Sequence, residues 1–158
     1  MKFILTKELG RLARWLRILG YDTLYFKEIS RSRLIMKSLR EDRLILTRSS
    51  KLSRSAGLKV LRITEDDVRK QLAELIKKLE LEIVEEKTFE RCIECNEPLN
   101  VVGKEKVKDQ VPPYIYETQD EFKTCYKCKK VFWRGSHWGL VKEFLENIKK
   151  QEGFKKGK

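Results

Sequence analysis

Four cysteines stand in two knuckles, "CIEC" (Cys92, Cys95) and "CYKC" (Cys125, Cys128), with 29 residues between them. Each C-x-x-C lets one tight turn present two thiolates to a single ion. Two such pairs make the closed tetrahedral shell that Zn²⁺ favours, and a closed shell serves folding instead of catalysis. Iron can occupy the same thiolates. Disulfide pairing or redox chemistry is the competing use, disfavoured in a chain that reads as cytoplasmic and carries the motif twice. His137 is the only histidine. With four thiols already completing the shell, it reads as a packing residue beside Trp133 and Trp138. Those tryptophans, with Arg134, can stack on bases, though core packing is the commoner use.

A second chemistry is written in charge. The 158-residue chain carries 36 Lys and Arg against 24 Asp and Glu, a formal net charge of +12. Residues 1–57 hold 14 basic and 5 acidic side chains, residues 58–90 hold 7 and 9, and residues 91–158 hold 15 and 10. Positive ends around an acidic middle fit a polyanionic partner, most simply nucleic acid. High charge with only seven Asn and Gln is equally the composition of a heat-adapted surface, which accounts for charge density better than for its sign. Arg11, Arg14 and Arg17 recur at helical spacing on one side of residues 7–19, while Leu9, Leu12, Ala13, Leu16 and Leu19 line the other. The leucine side predicts packing. The arginine side reads as a wall facing phosphates, with a salt-bridged solvated face as the alternative.

Short apolar runs alternating with helical periodicity supply the scaffold, and a hydrophobic content of 41% supports a core. Strands are expected at 2–6, 22–26, 43–47 and 58–63. Between them lie a helix at 7–19 stopped by Gly20 and a helix at about 31–41 capped by Ser30, with Leu34, Ile35, Ser38 and Leu39 inward. A short turn or helix then precedes the fourth strand. Thr64 with Asp67 resembles a capping box opening a helix at 65–79, whose stripe is Val68, Leu72, Leu75, Ile76 and Leu79. Residues 81–86 read as a strand or a linker. Residues 1–86 thus form an α/β domain, a doubly wound parallel sheet with helices on both faces. Residues 87–150 form a ribbon around the cysteines and a last helix, capped by Ser136 and packing through Leu140, Val141, Phe144, Leu145 and Ile148. Residues 151–158 form a frayed basic tail. No apolar run approaches the ~18–20 residues that span a bilayer, and "MKFILTKELG" charges too early for a signal peptide. No membrane role and a cytoplasmic location are expected.

Parallel sheets bind ligands beyond the carboxyl ends of their strands. That rule gathers Thr6, Lys7 and Glu8, then Lys27 and Glu28, then Thr47, Arg48 and Ser49 around one rim.

"LGRLARWLRILGYDT", "RLILTRSSKL", "CIECNEPL", "VPPYIYE" and "CYKCKKVFWRGSHW" occur in an order and spacing that resembles the Mut-seven C-terminal RNase domain family. The similarity covers about residues 2–150. It implies a PIN-like α/β domain followed by a zinc ribbon, and a ribonuclease whose clustered carboxylates hold Mg²⁺ or Mn²⁺. The family pattern carries Asp where this chain has Thr6 and Ser49, and an acid where the second helix opens with "SRSR" (30–33). Hydroxyls and arginines do not replace carboxylates around a hard cation. Glu8, Asp22, Glu28, Asp66 and Asp67 remain as acids near the sheet ends. Asp22 begins a strand and belongs to the far end, so Glu28 is the best surviving catalytic candidate.

The leading expectation is an RNA-binding protein on a PIN-like nuclease fold whose acidic centre has degenerated. Lys7, Arg11, Arg14, Arg17, Lys27, Arg31, Arg33 and Arg48 would contact phosphates. An active nuclease with a displaced carboxylate set, needing Mg²⁺ or Mn²⁺, is the first alternative. An assembly factor on a ribonucleoprotein is the second. Ribosomal or transfer RNA suits each, and no residue selects between them.

Overall fold

A computed structural model describes residues 1–55 and 57–151, apart from the side chains of Ser136, His137 and Gln151. The expected roles of the Ser136 and His137 side chains and of the basic tail lie outside the described residues. The chain divides into two compact units, Met1–Asn96 and Glu97–Lys158.

The first unit is a parallel α/β sheet. Its elements are β1 (Lys2–Thr6), α1 (Gly10–Ile18), β2 (Asp22–Phe26), α2 (Arg31–Glu41), β3 (Leu44–Thr47), α3 (Ser50–Ser53), β4 (Val60–Arg62) and α4 (Val68–Leu79). All neighbours pair in parallel in the order β2-β1-β3-β4. Ile4 lies opposite Ile45, while Phe3 and Leu5 lie opposite Leu44 and Leu46. Alternation therefore sends Ile4 and Ile45 to one face and Phe3, Leu5 and Leu46 to the other. On the first face Ile4 and Ile45 pack with Leu34 of α2 and Leu52 of α3. On the second, α1 packs against α4 and the sheet through buried Leu12, Ala13 and Leu16, with Leu72, Leu75 and Ile76 on α4. Both faces are covered, as a parallel sheet requires.

Gly20 ends α1 as expected. Its φ is +87°, and a Cβ there would lie 2.4 Å from the Lys87 carbonyl oxygen. The preceding turn closes with Gly20 N–H on Arg17 O and Tyr21 N–H on Leu16 O. Ser30 caps α2 by accepting from Arg33 N–H.

Two expectations of detail need correction. Helix α4 opens at Val68, with Asp67 as its cap, accepting from the N–H groups of Arg69 and Lys70. Thr64 is held elsewhere, donating its N–H and hydroxyl to Glu74. The carboxylate that returns to Thr64 comes from Glu74 in the second turn of the helix instead of from Asp67. Leu39 is 62% exposed, since Leu34 and Ser38 already fill the inward positions of α2. Of the two readings of 81–86, strand or linker, the linker holds, and the segment turns through a 3₁₀ helix at Glu85–Lys87.

The second unit carries β5 (Asn100–Val102), α5 (Pro113–Thr118), β6 (Phe122–Thr124), β7 (Val131–Phe132) and α6 (Ser136–Gln151). The strands form an antiparallel sheet in the order β5-β6-β7. Val107, Val111, Ile115 and Phe122 make its core, with Val102, Tyr116, Val131 and Trp133 packed against them. Trp133 therefore spends its ring on packing, tilted against Phe122 at 6.4 Å. On α6, Val141, Phe144, Leu145 and Ile148 are buried, whereas Leu140 is 62% exposed.

Candidate nucleic-acid interface and metal centre

The strand order reverses between β1 and β3, because β1 connects outward to β2 and the chain then returns across β1 to β3. A doubly wound sheet opens its crevice at that point. Thr6 ends β1 and Thr47 ends β3, and their hydroxyl oxygens lie 3.1 Å apart. Glu8, in the 3₁₀ turn Lys7–Leu9 that follows β1, folds its carboxylate onto them. Its Oε1 accepts from the Thr6 hydroxyl at 2.5 Å and from Arg48 N–H at 3.1 Å, with Thr47 Oγ1 at 3.4 Å. Burial raises the Glu8 pKa, but the hydrogen bonds from Thr6, from its own backbone and from Arg48 and Thr47 outweigh it and hold the carboxyl below its ordinary value. Glu8 is ionised at neutral pH.

Glu8, and not Glu28, is thus the acid at the centre of the rim. The signal for it was positional: it stands two residues past the end of an inner strand, where a short turn brings the side chain back over the sheet. Glu28 lies exposed after β2, paired with Arg33 at 3.0 Å. Asp66 is paired with the Arg48 guanidinium, and Asp67 caps α4. Ser49, expected to mark a lost acid, caps α3 by accepting from Leu52 N–H. Each rim acid is therefore engaged separately, and the three- or four-carboxylate cluster of a two-metal nuclease is not assembled from them.

The bases around the rim are exposed and lightly held. Lys7 and Arg11 are exposed. Lys27 lies over the Tyr25 ring at 5.5 Å. Arg31 donates to Ser55 Oγ, and Arg14 pairs with Glu94 at 2.9 Å with more than half of its side chain exposed. Such surface pairs are worth about 0–1 kcal/mol and exchange readily for a phosphate.

Arg17 departs from the expected arginine wall. It is 7% exposed. Its guanidinium donates to the carbonyl oxygens of Thr23 (2.9 Å), Ile93 (2.8 Å) and Glu94 (3.0 Å). The reason is the direction of α1, which runs back from the rim toward the amino ends of the strands. Six residues at 1.5 Å each carry Arg17 about 9 Å from the level of Arg11. Burial lowers its pKa, and the nearby Cys92, Glu94 and Cys95 oppose that shift. Its task is to hold the first knuckle.

At the same edge Asp22 accepts from Arg43 at 2.8 Å and from the Asn96 amide at 2.8 Å. Asn96 Oδ1 in turn accepts Thr23 N–H at 2.8 Å. Asp22 therefore sits at the amino end of the sheet, as its place in the strand implies. Burial raises its pKa, and its donors Arg43 and Asn96 more than reverse this. The importance of Asn96 was not visible from sequence, where it follows "CIEC" as one polar loop residue.

The two knuckles repeat one geometry. Asn96 and Lys129, each four residues after the first cysteine of its pair, take left-handed φ angles of 64° and 62°. Each donates its N–H back to that cysteine's carbonyl at 2.9 Å. In the first knuckle Cys95 N–H also points at Cys92 Sγ, 3.4 Å away. The sulfurs of Cys92, Cys95, Cys125 and Cys128 all lie within 4.8 Å of one another. Zn–S bonds of ~2.3 Å in a tetrahedron separate sulfurs by about 3.8 Å, so the donor set and its spacing fit one tetrahedral metal. Among the described residues these cysteines are the one group of three or more potential ligands close enough to share an ion.

Among the described residues no helix is long and apolar enough to cross a membrane. No curated protein and no solved structure gives a match to the chain. A family model described as the Mut7-C RNAse domain matches residues 1–145. That match begins before β1 and ends inside α6, taking in both knuckles, and the chain belongs to the Mut7-C RNAse domain family.

Proposed function

We propose that this member of the family binds RNA along the carboxyl-end rim of its sheet and has lost the acidic centre that would cut it. The observation that carries this reading is the separate engagement of the rim acids. Glu8 is bound to Thr6 and Arg48, Glu28 to Arg33, and Asp66 to Arg48. Lys7, Arg11, Arg14, Lys27, Arg31, Arg33 and Arg48 outnumber them, and a rim so charged attracts phosphate more than it attracts a divalent cation. Arg17 is left out of the contact set because its donors are spent on carbonyls.

Zn²⁺ is the metal we assign to the four cysteines, in a folding role, since a closed thiolate shell has no position for substrate. The cytoplasm is the location we assign, a reducing compartment in which disulfides are rare and cysteines of this C-x-x-C spacing serve metals.

The test has two parts. Binding of a labelled single-stranded RNA should weaken steeply with salt. Seven phosphate contacts predict a loss of roughly 1,000-fold between 50 and 200 mM. End-labelled structured RNA should stay intact with Mg²⁺, Mn²⁺ or EDTA. Metal-dependent fragments that vanish in a Glu8→Gln or Glu28→Gln variant would establish an active nuclease instead. Salt-insensitive or absent RNA binding would leave the assembly-factor reading.

A further inference from the structure

Glu8 is an anion held where a phosphate could be held. The donors around it converge, with the Thr6 and Thr47 hydroxyls 2.5 Å and 3.4 Å from its Oε1. Ser49 N–H donates to Thr47 Oγ1 at 3.1 Å, and the Thr47 and Thr6 hydroxyls lie 3.1 Å apart. Thr6 donates to Glu8 at 2.5 Å. Each hydroxyl has one proton to give, and a carboxylate, which only accepts, can take both. Arg48 N–H adds a further donor to the same oxygen. Hydroxyls and a main-chain N–H converging at the ends of two adjacent parallel strands make an anion-binding concavity. Arg48 is also tied by its side chain, to the carboxylate of Asp66. Both the main chain and the guanidinium of Arg48 are thus occupied by this chain's own anions.

We infer that the ends of β1 and β3 form a phosphodiester-binding subsite which Glu8 fills in the free protein, and that RNA enters it by displacing the Glu8 carboxylate. The inference rests on the RNA-binding reading above. Glu8 is exposed and lies on a three-residue turn, so a change of side-chain rotamer carries its carboxylate into water while β1 stays in place. The vacated donors, Thr6 Oγ1 and Arg48 N, then face the incoming phosphate. Asp66, 88% exposed, releases the guanidinium to the same group. Glu8 acts as an internal competitor that sets the affinity of the rim. A ligand that offers only a weak or singly engaged anion leaves it in place.

The experiment compares the intact wild-type chain with a Glu8→Gln variant. Glutamine keeps an acceptor oxygen for Thr6 and Arg48 N–H and removes only the charge. A short fluorescein-labelled single-stranded RNA, followed by anisotropy, should bind the variant about 3–10-fold more tightly, the effect of removing one partly screened like charge. Glu86→Gln, an equal change of charge in the 3₁₀ turn before the first knuckle, should change affinity by less than about twofold on the same grounds. Inorganic phosphate titrated into ¹⁵N-labelled protein should shift the Arg48 amide of the variant at concentrations that leave the wild-type amide unmoved. Thermal melts showing both proteins fully folded at the assay temperature exclude a folding effect on binding. Equal RNA affinity in the two proteins, or an Arg48 amide indifferent to phosphate in both, overturns the subsite while leaving RNA binding intact. Absence of RNA binding in wild type and variants alike overturns both readings together.

Discussion

Arg17 holds Glu94 by its main chain while Arg14, one turn earlier on α1, holds the same residue by its carboxylate. The two contacts are 3.0 Å and 2.9 Å long, but they differ in consequence. The first is buried and shared with the carbonyls of Thr23 and Ile93. The second is open to solvent.

Arg17→Lys should therefore destabilise the first unit by about 2–3 kcal/mol, because a lysine cannot fork to three carbonyls and leaves buried acceptors unpaired. Arg14→Ala should cost at most about 1 kcal/mol. Urea denaturation of the metal-loaded proteins measures both. RNA affinity should reverse the ranking: Arg11→Ala and Arg14→Ala weaken binding, whereas Arg17→Lys, assayed where it is folded, leaves it unchanged. A binding loss confined to Arg17 would return that residue to the phosphate-facing wall.

Asn96 does two jobs that substitution can separate. Asn96→Gly keeps the left-handed backbone and loses both side-chain hydrogen bonds, at about 1–3 kcal/mol. Asn96→Ala loses them and adds the left-handed strain of a Cβ, about 1–2 kcal/mol more. Alanine and glycine variants of equal stability, compared by denaturation midpoint, would show that the φ of 64° carries no cost.

Purified protein should carry one Zn²⁺ per chain by elemental analysis, and Cys95→Ser or Cys128→Ser should lower that content together with protease resistance of the cysteine-bearing segments. Replacement by Co²⁺ should give the visible bands of a tetrahedral thiolate site. A stoichiometric iron content would keep the geometry and change the metal. Substoichiometric metal of every kind would remove the centre from the account.

Acid should unfold the protein in a way that Glu8 reports. The Glu8, Asp22 and Glu74 carboxyls all lie below their ordinary values. A depressed carboxyl contributes stability that is fully present above the ordinary pKa of ~4 and is lost as pH falls through its lower folded value. Denaturation at a series of pH values should give a plateau near neutrality and a decline below about pH 4–5. In Glu8→Gln the decline should be shallower at the same metal loading. Parallel curves for the two proteins would mean that the hydrogen bonds to Glu8 do not favour its ionised form.

Most of the architecture was legible because periodicity and punctuation agree in this chain. β1 and β2 begin and end where their apolar runs do, and α2 runs from the residue after Ser30 to Glu41. The start of α4 was not legible because Thr64, Asp66 and Asp67 are all competent caps, and only the position of Glu74 in space decides which of them is used. The four cysteines were legible by spacing alone. The role of Arg17 was not, since helical spacing puts it on one side with Arg11 and Arg14 but says nothing of what that side meets six residues further on. Glu8 was placed on the rim, but its rank above Glu28 was not legible for a related reason. Its importance comes from Thr47 and Arg48, some 40 positions away in the sequence.

β2 is an outer strand of the sheet, and a bare outer strand invites another chain to add to it. Near its start this invitation is withdrawn. Thr23 N–H is taken by Asn96 Oδ1 and Thr23 C=O by Arg17 Nε, so side chains occupy the hydrogen-bonding positions that a neighbouring strand would need. The residues that fasten the first knuckle thus also protect the molecule from self-association. A chain that lost both would be expected to aggregate through β2 before it lost its fold, with the damage first visible in light scattering and only later in circular dichroism.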